Sequence, residues 1–124
     1  MRFLSYLFSF SGRFRRTDYW LCQLLQLALF FVLAIVLGLA MEAMGKKDIE
    51  DSPLLMAFVW VFIVVYVISS IACHVKRWHD HGRSGWWQLV ALIPFGGIYI
   101  LVVCGFMRGE AGPNAYGPDP LSQA

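Results

Sequence analysis

Charge is missing from long stretches of this sequence. Residues 19–41, 53–75 and 86–107 contain no Lys, Arg, Asp or Glu. Charged residues make up 15% of the 124-residue chain, and the net charge is +2. So small a net charge argues against nucleic acid as a partner. Runs without an ionisable side chain at their centre also carry no sign of an ion pathway or proton relay. Cysteine is scarce: Cys22, Cys73 and Cys104 all fall in apolar runs, and no two have the spacing of a metal motif. An odd count argues against a disulfide framework, so each is expected to act as a small apolar side chain. The first ten residues have no short apolar core leading to a small-residue cleavage site, so the first apolar run is expected to serve as an uncleaved anchor.

Apolar residues fill these runs as blocks instead of helical stripes, at 59% of the chain. A soluble domain of one hundred-odd residues could not bury so much apolar surface. Membrane helices accommodate it. The expected fold is all-α: one membrane domain, residues 1–124, with three transmembrane helices over about 19–41, 53–75 and 86–107. An amphipathic interfacial lead-in occupies 1–18, and an irregular tail occupies 108–124. Gly45 is a helix stop, Asp51 or Ser52 can cap the second span, and Pro53 suits its first turn. Pro94 removes a backbone donor in the third span, and Gly96 and Gly97 allow a sharp break there. One kinked span is the expectation. Two half-helices returning to the same side are the alternative. Gln23 and Gln26, three apart in the first span, share a face expected to pack on another helix.

Seven of the ten basic residues are Arg2, Arg13, Arg15, Arg16, Lys76, Arg77 and Arg83, on one side of a three-span arrangement. The loop at 42–52 is acidic. By the bias of Lys and Arg toward the cytoplasm, the N-terminus and the loop after span two face the cytoplasm. The tail then faces outward, or inward if the third run folds back.

The stretch "HVKRWHDHGRSGWW" at 74–87 holds the densest chemistry. His74, His79 and His81 have poor chelating spacing, since 79 and 81 point to different sides of a helix. His79 with Asp80 as its orienter would need a geometry that sequence neighbours rarely adopt. Arg13, Arg16, Arg77 and Arg83, with Trp86 and Trp87 at headgroup depth, suit anionic phospholipid. The remaining reading is structural: the charges orient the chain and tie the lead-in to the loop, with Asp80 pairing Arg77, Arg13 or Arg16.

Four segments together resemble a known family. "FSFSGRFRRTDYW" (8–20), "RWHDHGRSGWW" (77–87), "IPFGG" (93–97) and "NAYGPDP" (114–120) are similar to the marks of the domain-of-unknown-function 805 family of small bacterial inner-membrane proteins. The shared positions are Gly12, Arg13, Arg16, Tyr19, Trp20, Arg77, His79, Asp80, Ser84, Gly85, Trp86, Trp87, Asn114 and Gly117. The resemblance implies a helical protein of the cytoplasmic membrane and no particular activity. The function expected is a non-enzymatic, structural or anionic-lipid-interacting membrane component. The candidate cluster is Arg13, Arg16, Arg77, His79, Asp80, Arg83, Trp86 and Trp87, with no cofactor or metal. A small transport or channel subunit is the alternative. Homo-oligomers or other membrane proteins are further partners to expect.

Overall fold

A computed structural model describes residues 7–123. It is helical, with no named β-strand among the described residues. Helix α1 (Arg16–Ala43) and helix α2 (Pro53–Asp80) have 28 residues each. At 1.5 Å per residue each is about 42 Å long, more than a bilayer's hydrocarbon core requires. They are the two described helices long and apolar enough to cross a membrane.

Local chemistry sets the start of α2 as the sequence predicts. Ser52 Oγ accepts from Leu55 N–H at the start of α2, and Pro53 takes the first helical position. Gly82 stops α2 with a φ of 71°. Its N–H donates to His79 O while Arg83 N–H donates to Trp78 O, the paired bonds of a Schellman stop. The helix thus continues five residues past the expected span, through Lys76–Asp80.

α1 and α2 run antiparallel and touch at one end. There Tyr19 lies against His74, Cys22 against Cys73 and Gln26 against Ser69. Cys22 and Cys73 form a disulfide with an S–S distance of 2.04 Å, which corrects the expectation of three unlinked cysteines. The antiparallel register brings together residues 51 apart in sequence, and spacing rules do not reveal that. Cys104 is free and buried. The buried core is confined to this end: Leu7, Phe14, Cys22 and Cys73 form one cluster, and Tyr19, Trp78, Ile100, Val103 and Cys104 another. Toward the 44–52 loop the side chains of α1 and α2 are mostly exposed, as a lipid-facing surface would be.

The lead-in's first six residues lie outside those described. From Leu7 onward it runs beside α2. Leu7 O accepts from Ser69 Oγ, and Phe14 N–H donates to Lys76 O. Residues 7–14 therefore pack into the helix pair.

The third apolar run differs from the expected kinked span. Gly85–Leu92 is a 3₁₀ helix, Ile93–Phe95 is a bend, α3 (Gly96–Ile100) is short, and Leu101–Phe106 is a π-helical turn. Phe95 takes the left-handed conformation at φ 64°. A Cβ on Gly96 would lie 1.7 Å from Val90 O, so only glycine lets the second limb close on the first. Arg83, before the first limb, bonds Tyr99 on the second, and Met107 O accepts from Arg77. Both ends of 86–107 therefore sit at the same end of α2. The physical reason is the break at Pro94–Gly97, which folds the run instead of kinking it. The irregular tail returns to the same place. It stays turn-rich: Asn114 and Gly117 bond each other's backbone, and the Asp119 carboxylate accepts from Gly112 and Leu121 N–H. Those two amides hold Asp119 below the usual carboxylate range.

Candidate functional site

The last turn of α2 places Arg77 and Asp80 three residues apart, on one face. Arg77 Nη1 donates to Asp80 Oδ2 at 2.5 Å. From the lead-in, Arg13 Nε donates to Oδ1 at 3.0 Å. One carboxylate thus joins two guanidinium groups. The side chains of Arg77, Arg13 and Asp80 are 0%, 1% and 7% exposed. Arg16, the third partner considered, does not reach Asp80.

Both arginines have further tasks. Arg13 Nη1 donates to Gly112 O at 2.7 Å, and Nη2 donates to Glu110 O at 2.6 Å. The tail replies on Asp80 itself, whose carbonyl accepts from Glu110 N–H at 2.6 Å. Arg77 Nη1 also reaches Phe14 O at 3.0 Å. A set of caps lies on the other side. The last turn of a helix leaves carbonyls without backbone partners. Here His81 Nε2 meets Val103 O, Arg77 Nε meets Cys104 O, Trp20 Nε1 meets Gly105 O, Arg16 Nη1 meets Phe106 O, and Arg77 Nη2 meets Met107 O. Five consecutive carbonyls of the returning segment are held by side chains from α1, α2 and the turn after α2. That fixes the segment's end where the polar cluster lies.

The histidines are brought near one another without converging. A carbonyl only accepts, so each ring nitrogen facing one carries the proton. His79 Nδ1 donates to Gly12 O at 3.0 Å, and its ring stacks on Tyr116 at 4.0 Å between centroids. His74 Nδ1 donates to Ser70 O at 2.7 Å, leaving Nε2 to accept from Tyr19 OH. Burial, and then the charge of Arg77, hold His81 below its usual titration range. His79 faces Gly12 and Asp80 faces the arginines, so the two form no orienter–base pair. Among the described residues no group of three His, Cys, Asp or Glu could hold a metal ion.

Arg83, Trp86 and Trp87 stand apart from this hub. Arg83 lies over the Trp87 ring at 4.5 Å and over Trp78 at 5.8 Å, and its Nη1 donates to Tyr99 OH at 2.7 Å. Trp78 stacks on Tyr99, and its Nε1 donates to Gln88 Oε1. Trp86 is 78% exposed.

The family described as "Protein of unknown function (DUF805)" matches residues 7–118. The chain belongs to that family. The inner membrane protein YhaH of Escherichia coli K12 is 34% identical over 111 residues, covering 90% of this chain and 86% of its own. The inner membrane protein YhaI of the same strain is 31% identical over 114 residues, covering 90% and 85%. No solved structure matches. With relatives of this kind and two helices able to span the bilayer, the chain is an inner-membrane protein.

Several of the family's marks in this chain form one assembly. "GRFRR" supplies Arg13 and Arg16, "YW" supplies Tyr19 and the Trp20 cap, "RWHD" supplies the centre, and "NAYG" supplies the stack and a clamp. In that clamp Asn114 Nδ2 donates to His79 O at 3.0 Å. Sequence reasoning missed Trp20, Glu110, Gly112 and Tyr116 as members. The tail motif was the available signal, but nothing in its composition says that it folds back.

Proposed function

We propose that this protein crosses the inner membrane twice, through α1 and α2, with the hub, the lead-in and the tail at the cytoplasmic face. The third run enters from that face and returns to it. The basic bias supports this orientation, and bonds from Arg13 and Arg77 to residues 104–117 support the return. The function we assign is non-enzymatic: a structural membrane component whose outward basic and aromatic edge holds anionic phospholipid.

The observation that carries this reading is how differently the arginines are engaged. Arg13 and Arg77 are buried and bonded to Asp80 and to backbone carbonyls, so they build the fold. Arg83 is half-buried, uses Nη1 on Tyr99, and lies 4.5 Å over the Trp87 ring beside the exposed Trp86. A guanidinium held on an indole is pre-positioned for a phosphate oxygen at headgroup depth. Each basic residue near an anionic surface contributes about 1 kcal/mol. Arg16 and Arg108 are also exposed.

The test is lipid retention by the purified protein through detergent exchange, read by lipid extraction. Anionic phospholipid is expected to persist, to fall several-fold in Arg83→Ala with Trp87→Ala, and to fall further at high salt through screening. Retention unchanged in that double variant, at an unaltered unfolding midpoint, would sink the lipid-holding role.

A further inference from the structure

The break at Pro94–Gly97 makes the third run a hairpin, and its contacts fix its direction. Gly85 packs on the Val75 side chain, and Leu89 shares a groove with Ile71, one helical turn further from the hub. The first limb therefore runs along α2 away from the hub. The second limb comes back, with Ile100, Val103 and Cys104 packed with Tyr19 and Trp78. The tip at 92–97 is the part farthest from the hub, and Leu92 and Phe95 there are 82% and 83% exposed.

The hairpin's length, backbone and surroundings say what covers this tip. Gly85–Leu92 has 8 residues, about 16 Å at the 3₁₀ rise. The 5 residues of α3 and the 6 of the π-helical turn give a second limb of about 16 Å. Half of a bilayer's hydrocarbon core is about 15 Å, so the tip stops near the midplane. Residues 86–107 contain no Lys, Arg, Asp or Glu. Unpaired backbone groups keep most bends out of hydrocarbon. Much of this bend is sealed: Pro94 has no N–H, and those of Ile93, Gly96, Ile98 and Tyr99 bond carbonyls inside the hairpin. The exposed apolar sides of α1 and α2 thus continue into the tip, and the same lipid covers both.

The leaflet on the hub side then holds α1, α2 and both limbs. The opposite leaflet holds α1 and α2 alone among the described helices. At a helix diameter of about 10–12 Å, two limbs add about 200 Å² of cross-section to one leaflet. We propose that the hairpin is a one-leaflet wedge whose partner is a lipid surface convex on the hub side, where spread headgroups open hydrocarbon to the tip. Insertion of apolar groups into one leaflet is sensitive to curvature in this way. The inference rests on the returning third run proposed above, and with the hub cytoplasmic the surface is one that bulges into the cytoplasm.

The test reconstitutes the full chain in neutral phosphatidylcholine, which gives Arg83 no net headgroup charge to hold. A dye on Asp48→Cys, in the loop at the far end, is destroyed by an impermeant reductant only where the hub faces inward. The ratio of hub-outward to hub-inward chains should be several-fold higher in small sonicated vesicles than in large extruded ones. Lysophosphatidylcholine, which fills the gaps of a convex leaflet, should abolish the difference. Equal ratios at the two sizes overturn the wedge. So does a difference that survives lysophosphatidylcholine, since it would come from the bulk of the hub outside the bilayer. A nitroxide at Leu92→Cys tests the returning run separately. Oxygen should relax it as it does at the lipid-facing Phe31→Cys in α1, and a water-soluble nickel chelate should not. Relaxation by nickel puts the tip in water and overturns both readings, whereas oxygen relaxation with equal ratios removes only the wedge.

Discussion

Asp80→Ala removes the shared acceptor of two buried guanidinium groups at once. Breaking a buried ion pair by deleting one partner costs about 3–5 kcal/mol, because a desolvated charge is left uncompensated. Arg13 keeps the carbonyls of Glu110, Gly112 and Gly117, and Arg77 keeps those of Phe14, Cys104 and Met107. These remaining bonds place the loss toward the lower bound, about 3 kcal/mol. Asp80→Asn should recover little of it. An amide presents its NH₂ to one of the two guanidinium groups, donor against donor. The comparison is Asp48→Ala in the exposed acidic loop, where a surface change stays within about 0.5 kcal/mol. Gly109→Ala supplies an independent probe of the same spot. Its Cβ would lie 1.9 Å from Asp80 Oδ2, so the tail or the carboxylate must move with no charge altered. Overpacking of that kind costs about 1–3 kcal/mol. The assay is reversible unfolding of the purified protein in mixed micelles. Asp80→Ala or Asp80→Asn matching Asp48→Ala would refute the claim that this carboxylate ties the structure together.

Reporter fusions at 48 should read periplasmic, and fusions at 82 and 124 both cytoplasmic. A periplasmic reading at 124 would restore the single kinked third span. Stability should also fall as pH drops below about 6.5. His81 is held neutral in the fold, so below its ordinary value of 6.5 the unfolded chain binds a proton that the folded chain refuses. That loss continues down to the depressed folded value, and His81→Gln should flatten this part of the profile. An unchanged slope in the variant would show that the His81–Val103 bond does not govern the pH response.

The sequence makes the two long helices and their ends legible, because lipid-length apolar runs, Ser52–Pro53 and Gly82 act locally. Asp80's pairing is half legible: Arg77 sits three residues away on the same helix, while Arg13 reaches it only through the lead-in's course along α2. The disulfide and the returning tail are not legible, since both depend on which elements become neighbours. The third run misleads for a related reason. Its length and apolarity suit a span, but the α-helix is interrupted by a bend at Pro94 and by the Gly96–Val90 contact, and two limbs packed on each other replace one helix. The predicted arginine cluster divides in the same way. Sequence can count basic residues near a membrane edge, but only the fold separates those bonded inward from those left facing out.

That separation bears on where an activity can reside. In the hub, Arg77 uses Nε and both Nη atoms, Asp80 binds through both carboxylate oxygens and its carbonyl, and His79 uses Nδ1 on Gly12 and its ring face on Tyr116. A residue so engaged can bind a ligand only by releasing a structural partner, which in a buried charge network is expensive. The family's most distinctive motifs in this chain therefore read as an interlock among lead-in, α2 and tail. Chemistry directed at a partner has to come from groups with capacity left over, and these lie elsewhere. At the membrane edge Arg83 rests on Trp87 beside the exposed Trp86. Between the long helices, Gln26 Oε1 is buried without a hydrogen-bond partner.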